Sequence, residues 1–584
     1  MQKTAHKIKA LDIAALLLAA AGFALLLIRA KSAGGPADEC FYLTIPLRLI
    51  AGDGLIGSEW HLTQLFSVLL YTPVKIYVSL CGGTAGLVLF MRVLFAFFIT
   101  LAAAAVYIML KKNGAPALIF ALCLMLFAPM WIYTGSYYTL GTAFLSLCLC
   151  LIYSQREKIS TVKMLLCGFT LSLTVLCNPV FALAYIIYIA AVLFSGKKKL
   201  SPVLSRRAAL TLSIGILPML IFFLFLLFKN STPLEILRTL PYIFTDPEHI
   251  ASADGAAVSH FAFLSFFSDT AKPSGIVPPL LCALLFIAAA ADKKRLAHRK
   301  IYVPLLFALL IISEIIFYIN IIIIHKEDAD SLEFAYIFFS LLCPAAYMLC
   351  EKRNRPVFYG IWLPGILFAL SFAFSSNLGL NSQVCGHIIC FAAALIIMRD
   401  LCVELSFKKP LFLLPAALAV FQCGALITDA ILGICVYDIN RNTVSEGAYK
   451  GISLSLSQYA YTEAVREDIL TINTMGAEDD RLFICDNFPS GYLESIMKTG
   501  AFSSWFIGEQ LSFEAGQNRF AAYYRLNPSC VPDYIYIPDY CWSRGYIRPS
   551  KRTDTVELLK TLYDGEFSRL ENGYVLKVSA VKMK

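Results

Sequence analysis

The 584-residue sequence predicts an α-helical polytopic membrane protein with about 13 spans and a small α/β domain at its C-terminal end. Three observations predict it. Hydrophobic residues make up 58% of the chain and charged residues only 15%, and the mean hydropathy is +0.70. That balance excludes an ordinary soluble domain and calls for repeated passage through a bilayer. Lys and Arg gather in short clusters between apolar runs, which is how orientation is encoded. Beyond Leu432 the long apolar runs stop, and short aromatic and β-branched stretches alternate with amphipathic ones.

The first apolar run, Leu11 to Ile28, follows Lys3, Lys7 and Lys9, and no small-residue cleavage site follows it. We read a retained span rather than a signal peptide. Spans are expected at 11–29, 86–110, 115–133, 137–153, 164–177, 180–195, 208–228, 275–291, 302–324, 333–350, 357–374, 384–398 and 411–432. The segment 164–195 carries Asn178-Pro179 in its middle and basic groups at both ends. Two short helices turning at Asn-Pro keep both basic clusters on one side, as a spanning or re-entrant pair. With the N-terminus cytoplasmic and an odd number of spans, the C-terminal domain is extracytoplasmic. The inner segments, such as "ADKKRLAHRK" and "EKRNR", then hold the basic clusters while the outer loops hold few.

The net charge of +9 belongs to this topology and not to a nucleic-acid surface. Most of the 18 Cys lie inside apolar runs such as "LCLCLIY", where they act as small hydrophobes. Cys485, Cys530 and Cys541 in the outer domain permit one bridge at most. Two outer loops are long, 30–85 and about 229–274. Within them "EWHLTQLFSVLLYTP" and "TPLEILRTLPYIF" have helical spacing and the character of interfacial helices. The transmembrane part is expected to end at 432, leaving 433–584 as the α/β domain. There "RLFICDN", "DYIYIPDY" and "GYVLKVS" read as strands, and "YTEAVREDILTINTM" and "TDTVELLKTLYDG" as helices.

The stretch "GGPADECFYLTIPLRLIAGDG" places Asp38 and Glu39 where the first span ends. One reading is a solvated flank. Acidic residues contribute little to orientation, so topology alone does not require them. The other reading is a general base at the membrane surface, taking a proton from an acceptor hydroxyl. Two adjacent carboxylates raise each other's pKa, which suits a base. Arg92 lies about two turns into the second span, where an arginine is either functional or snorkelling to the headgroups. As a phosphate ligand it would stabilise developing negative charge. Arg48 is a second phosphate candidate. His61 and Gln64, one turn apart, are candidates to orient a sugar or phosphate; the plainer reading is polar residues facing water. Trp60 reads as an interface anchor.

"PADECFYLTIPLRLIAGDGL", "EWHLTQLFSVLLYTP" and "GLVLFMRVLF" together resemble the start of GT-C membrane glycosyltransferases, closest to the protein-mannosyltransferase and aminoarabinose-transferase branch. The resemblance spans about residues 10–110 at motif level, and beyond them rests on architecture. It implies Asp38 as catalytic base with Glu39 beside it. It also implies a polyprenyl-phosphate sugar donor and inverting transfer on the outer face of a bacterial plasma membrane. The acceptor would be a glycan, lipid or protein. The sequence departs from the branch in having no Lys within "TQLFSVLLYTP", where the branch has a Lys-Pro-Pro-like stretch.

No cofactor is certain. Asp328-x-Asp330 in "HKEDADSLEF" leaves a divalent metal open, against the plainer reading of a solvated acidic loop. Glu314, deep in "LIISEIIFYINIII", is expected to find a hydrogen-bond partner or to mark a proton path. Two rivals stand beside a transferase: a transporter or flippase for lipid-linked glycans, and a non-catalytic scaffold of the same fold. No internal repeat favours the first.

Overall fold

The computed structural model describes residues 2–32, 36–194, 202–244, 273–318, 335–405 and 442–582, apart from short internal stretches at 293, 351–353, 376–379, 487, 506–512, 544–545 and 550–551, with only scattered positions between 406 and 441. The chain is a mostly helical membrane protein with a small C-terminal sheet region. The expected span 411–432 and the acidic pair Asp328-x-Asp330 fall largely or wholly outside the described residues.

The helices follow in order: α1 (Gln2–Arg29), α2 (Pro36–Ile50), α3 (Ser67–Cys81), α4 (Leu87–Leu110), α5 (Ala115–Leu126), α6 (Tyr137–Ser154), α7 (Thr161–Cys177), α8 (Ala182–Phe194) and α9 (Arg206–Lys229). Then come α10 (Pro233–Phe244), α11 (Pro273–Ala291), α12 (Arg295–Tyr318), α13 (Tyr336–Leu349), α14 (Leu363–Ser375) and α15 (Leu380–Glu404). Every expected span up to 384–398 meets a helix. Seven described stretches are long and apolar enough to cross a membrane, and Thr63–Cys81, expected in the interface, is one of them. The central helix is α15, with 89% of its apolar window buried, against 11% for the peripheral α1.

Two local features differ from simple spans. The Asn178-Pro179 turn does separate two helices, α7 and α8, and Asn178 Nδ2 donates to Ser371 Oγ at 2.9 Å. The expected span 115–133 stops being helical at Leu126. Pro129 disfavours helical backbone at the residue before it, and Ala128 leaves the helical region with φ −146° and ψ 68°. Helices α7 and α9 cross at glycines. A Cβ on Gly168 would lie 1.9 Å from the Leu212 carbonyl oxygen, and one on Gly215 2.1 Å from that of Leu165. Only residues without a side chain let the two backbones approach this closely.

The C-terminal region holds two short ladders, β1 (Asn442–Thr443) with β2 (Ser453–Leu454) and β6 (Tyr540–Ser543) with β7 (Tyr546–Pro549), and a five-stranded sheet in the order β4 (Lys498–Thr499), β3 (Arg481–Ile484), β5 (Tyr534–Pro538), β9 (Gly573–Val581), β8 (Tyr563–Arg569). Strand β3 runs parallel to β4 and β5, while β9 pairs antiparallel with β5 and β8. Helix α16 (Leu456–Met475) opens with a capping box in which Ser455 and Gln458 exchange side-chain and backbone hydrogen bonds. The region docks at the start of α4, where Gly86 and Val88 donate backbone N–H groups to Gly447 and Ala448. It therefore sits at the end of the bundle that carries α2. Cys485 and Cys530 are both free and buried.

Candidate functional site

Helix α2 starts with Pro36 and puts both carboxylates in its first turn, where the exposed N–H groups favour negative charge. Successive residues on a helix point about 100° apart. Asp38 and Glu39 therefore face different surroundings. Glu39 turns inward and is fully buried; Asp38 stays half-buried. Adjacent in sequence, the two carboxylates are separated by burial.

Arg92 meets Glu39 in a buried ion pair, with Nη2 at 2.6 Å and Nε at 2.7 Å from Oε2. The other carboxylate oxygen accepts from the Tyr133 backbone N–H at 2.7 Å. Arg92 also donates to the carbonyls of Ala30, at 3.1 Å, and Ser32. One guanidinium thus ties α4 to the end of α1 and the start of α2. Burial pushes the Glu39 carboxyl up from the ordinary glutamate range, against the pull of Arg92 and the amides of Tyr133 and Thr134. Arg92 thereby holds the end of α1 and the start of α2 together.

The ring of Tyr133 meets two cations, 4.6 Å from the Arg29 guanidinium and 5.4 Å from that of Arg92. Arg29, in the last turn of α1, is 2% exposed and donates to the Leu126 carbonyl. Sequence reasoning missed it; its signal was an arginine ending a span directly before the acidic pair. Around Asp38 stand phenols. Tyr42, one turn on, donates to Asp38 Oδ1 at 3.5 Å, and its ring packs edge-on to Tyr137 at 5.7 Å. Burial raises the Tyr42 phenol well above the ordinary tyrosine range, with the Asp38 charge adding to it. A neutral phenol of this kind is a standing hydrogen-bond donor.

Arg48 lies at the far end of the same helix and in a second network. Its Nε binds Asp53 at 2.9 Å, Nη1 binds Glu59 at 2.8 Å and the Ala501 carbonyl at 3.0 Å, and Nη2 donates to the Tyr523 hydroxyl at 3.0 Å. Asp53 also accepts from Arg481 at 2.8 Å, and Glu59 from the Ser504 backbone and hydroxyl. Arg48 therefore fastens the first loop to the C-terminal region and stands apart from the surroundings of Asp38. Trp60 shares that seam. It is fully buried, stacks on Tyr242 at 4.6 Å, and lies edge-on to Tyr523 at 5.1 Å. The interface-anchor reading of Trp60 is corrected: the C-terminal region covers the position that sequence alone leaves at the lipid boundary.

His61 caps the turn Leu62–Phe66, its Nδ1 accepting from the Thr63 backbone N–H at 3.3 Å. In the neutral ring this places the proton on Nε2. The ring meets Phe41 of α2 edge-on at 4.7 Å. Gln64 is 1% exposed; its Oε1 accepts from the Ile56 N–H at 2.9 Å, and its Nε2 has no partner among the described residues. Ile56 has φ +73°, and Met130 and Trp131 have +56° and +54°. Left-handed backbone is rare for such side chains and concentrates at functional sites. These are the non-glycine examples among the described residues, and they adjoin the groups that hold Gln64 and Glu39.

Among the described residues no group of three His, Cys, Asp or Glu is placed to hold a metal ion. Both oxygens of Glu314 are buried without a partner among the described residues, so the expected hydrogen bond is not found there. His387 contacts Ser340 Oγ at 3.0 Å, in keeping with a structural role.

No protein-family model matches the sequence, and no curated protein does. Among solved structures the chain is similar to the archaeal oligosaccharyltransferase AglB from Archaeoglobus fulgidus, in complex with an inhibitory peptide and a dolichol-phosphate. The identity is 12% over 97% of this chain and 74% of that one, with a TM-score of 0.42. It is also similar to ArnT from Cupriavidus metallidurans bound to undecaprenyl phosphate, at 13% identity over 97% of this chain and 98% of the other, with a TM-score of 0.38.

Proposed function

We propose that this chain is a GT-C-type membrane glycosyltransferase that moves a sugar from a polyprenyl-phosphate carrier to an acceptor on the outer face of the membrane. One observation carries the reading. Asp38 is a half-buried carboxylate at a helix start, set beside a buried Glu39–Arg92 pair that fixes its helix, and a neutral phenol donates to it. The basic segments between helices support a cytoplasmic side at the opposite end of the bundle and Asp38 outside.

In the proposed reaction the acceptor hydroxyl attacks the anomeric carbon from the face opposite the lipid phosphate. The bond to the phosphate oxygen breaks as the new C–O bond forms, and the electron pair leaves with the phosphate. Asp38 takes the acceptor proton. Arg92 and Glu39 hold α2 in register, and Arg29 and Arg92 supply positive potential at that end of the bundle. His61 orients substrate, while Gln64 keeps the Ile56 turn in place. Arg48 holds the C-terminal region over the first loop, where that region recognises the acceptor.

The test is transfer of labelled sugar in membranes carrying a polyprenyl-phosphate sugar pool, for wild type and Asp38→Asn. Wild type should transfer, and the variant should lose on the order of 100-fold or more. Equal transfer by both would remove Asp38 as the base. The Glu314 carboxylate, buried without a partner among the described residues, favours a transporter as the second reading. Glu314→Gln should leave sugar transfer intact; loss of lipid-linked glycan movement with no transfer activity at all would favour the transporter.

A further inference from the structure

We propose that the end of the bundle opposite Asp38 holds one anionic phospholipid, its phosphate in a polar chamber and an acyl chain in the apolar cavity that adjoins it. The apolar cavity, about 440 Å³, lies among α6, α7, α8 and α9, with Leu149, Leu171 and Tyr188 in its wall. The polar chamber, about 500 Å³, lies where α4 and α6 end and α15 closes the side. The two share Tyr153, Arg156 and Pro356. Both volumes fall in the range of pockets for small ligands.

Charge fixes the class of occupant. Lys112, Arg156 and Arg399 line the polar chamber, and Arg355 stands at the mouth of the apolar one. Among the described residues of these walls the one carboxylate, Asp400, is matched to Arg399 at 2.5 Å, and Arg399 also donates to the Asn113 carbonyl. Arg156 lies 4.4 Å over the Tyr153 ring, and among the described residues its acidic neighbour is the exposed Glu157 at 3.9 Å. The walls therefore carry an excess of positive charge. Two buried amides add to this. Asn113 and Asn354 line the polar chamber at 6% and 2% exposure, and the Nδ2 of each has no acceptor among the described residues. Buried donors are almost always matched, so an unmatched pair in the wall of a basic chamber points to an acceptor-rich ligand. A phosphodiester supplies those oxygens. The apolar cavity runs from the basic end to Leu145 and Leu171, well inside the helices, which suits a hydrocarbon chain and not a soluble anion. Basic pockets between membrane helices recognise lipid headgroups in this way.

The experiment is native mass spectrometry of the full chain exchanged from detergent with equal dioleoyl phosphatidylglycerol and dioleoyl phosphatidylcholine. Wild type should retain one phosphatidylglycerol in preference. Each exposed cation removed, by Lys112→Ala or Arg355→Ala, should weaken retention about fivefold. Ala184→Trp, which fills the apolar cavity without touching charge, should lower retention as well. No preference for the anionic lipid in wild type overturns the proposal, as does unchanged retention in the Lys112→Ala/Arg355→Ala double variant. Displacement by inorganic phosphate at millimolar level would make it a soluble-anion site and overturn the lipid assignment. That competition, read on wild type alone, decides the matter even where a variant folds poorly. Sugar transfer is a separate readout, so failure here leaves the Asp38 reading standing.

Discussion

Helix α2 carries two buried arginine–carboxylate clusters at its two ends, and they differ in what lies beside them. The Glu39–Arg92 pair closes on backbone carbonyls and amides of the helix bundle, with half-buried Asp38 next to it. The Arg48–Asp53–Glu59 cluster closes on Ala501, Ser504 and Tyr523 of the C-terminal region. Both are dense, and in both the charged groups serve one another. The difference is that one cluster leaves a neighbouring carboxylate reachable, while the other is sealed by chain from far along the sequence. Burial and charge alone therefore do not distinguish the two ends; the half-buried carboxylate beside one of them does.

The largest effect expected is on activity. Asp38→Asn should cost on the order of 100- to 10,000-fold in transfer while changing stability by less than about 0.5 kcal/mol. A large loss of thermal stability would place Asp38 in the pair's structural role instead. Next come the pairs themselves. Arg92→Leu and Arg48→Leu, each leaving a carboxylate buried alone, should cost about 3–5 kcal/mol in unfolding of the solubilised protein. The double Glu39→Leu/Arg92→Leu should be milder than either single change. The two arginines separate by proteolysis. Arg48→Leu should expose the C-terminal region to limited digestion, whereas Arg92→Leu should not release it first. Gln64→Leu, which leaves the Ile56 N–H unmatched, should cost about 1–3 kcal/mol, offset in part by removing the unpartnered Nε2.

The smallest effect concerns a carboxylate in neither cluster. Glu494 accepts from the Ala448 N–H, and burial raises its carboxyl above the ordinary range, against that hydrogen bond and Arg466. A raised acid binds its proton more tightly folded than unfolded. Its stabilising contribution is thus fully present below the unfolded value near 4.5 and is lost as pH rises through the folded one. Melting curves of the C-terminal region from pH 4 upward should show that decline, and Glu494→Gln should flatten it.

Much of this architecture was legible in the sequence because membrane helices announce themselves locally. Apolar runs, basic punctuation and Asn178-Pro179 each act within a few residues. The acidic pair was legible by position, and three strands by their aromatic pattern. What escaped was set by distant partners or by brevity. Nothing near Arg48 indicates Tyr523, and nothing near Trp60 indicates Tyr242. The edge strand β4 has two residues, and the exposed edge strand β8 reads as polar, "YDGEFSR". The end of α5 at Leu126 was readable from Pro129, but the left-handed Met130 and Trp131 are sustained by packing and carry no local signature.

The seam between first loop and C-terminal region sets an order of assembly. Arg48 and the Ala501 carbonyl are 453 positions apart. At about 5–20 residues per second of synthesis, Arg48, Asp53 and Glu59 emerge roughly 20–90 seconds before the chain that seals them exists. The first loop must wait, charged and uncovered, at the membrane surface through the insertion of every later helix. A chain interrupted before Ala501 would thus present an intact Glu39–Arg92 pair and an open Arg48 cluster, a state that surveillance of membrane-protein synthesis can distinguish from the finished molecule.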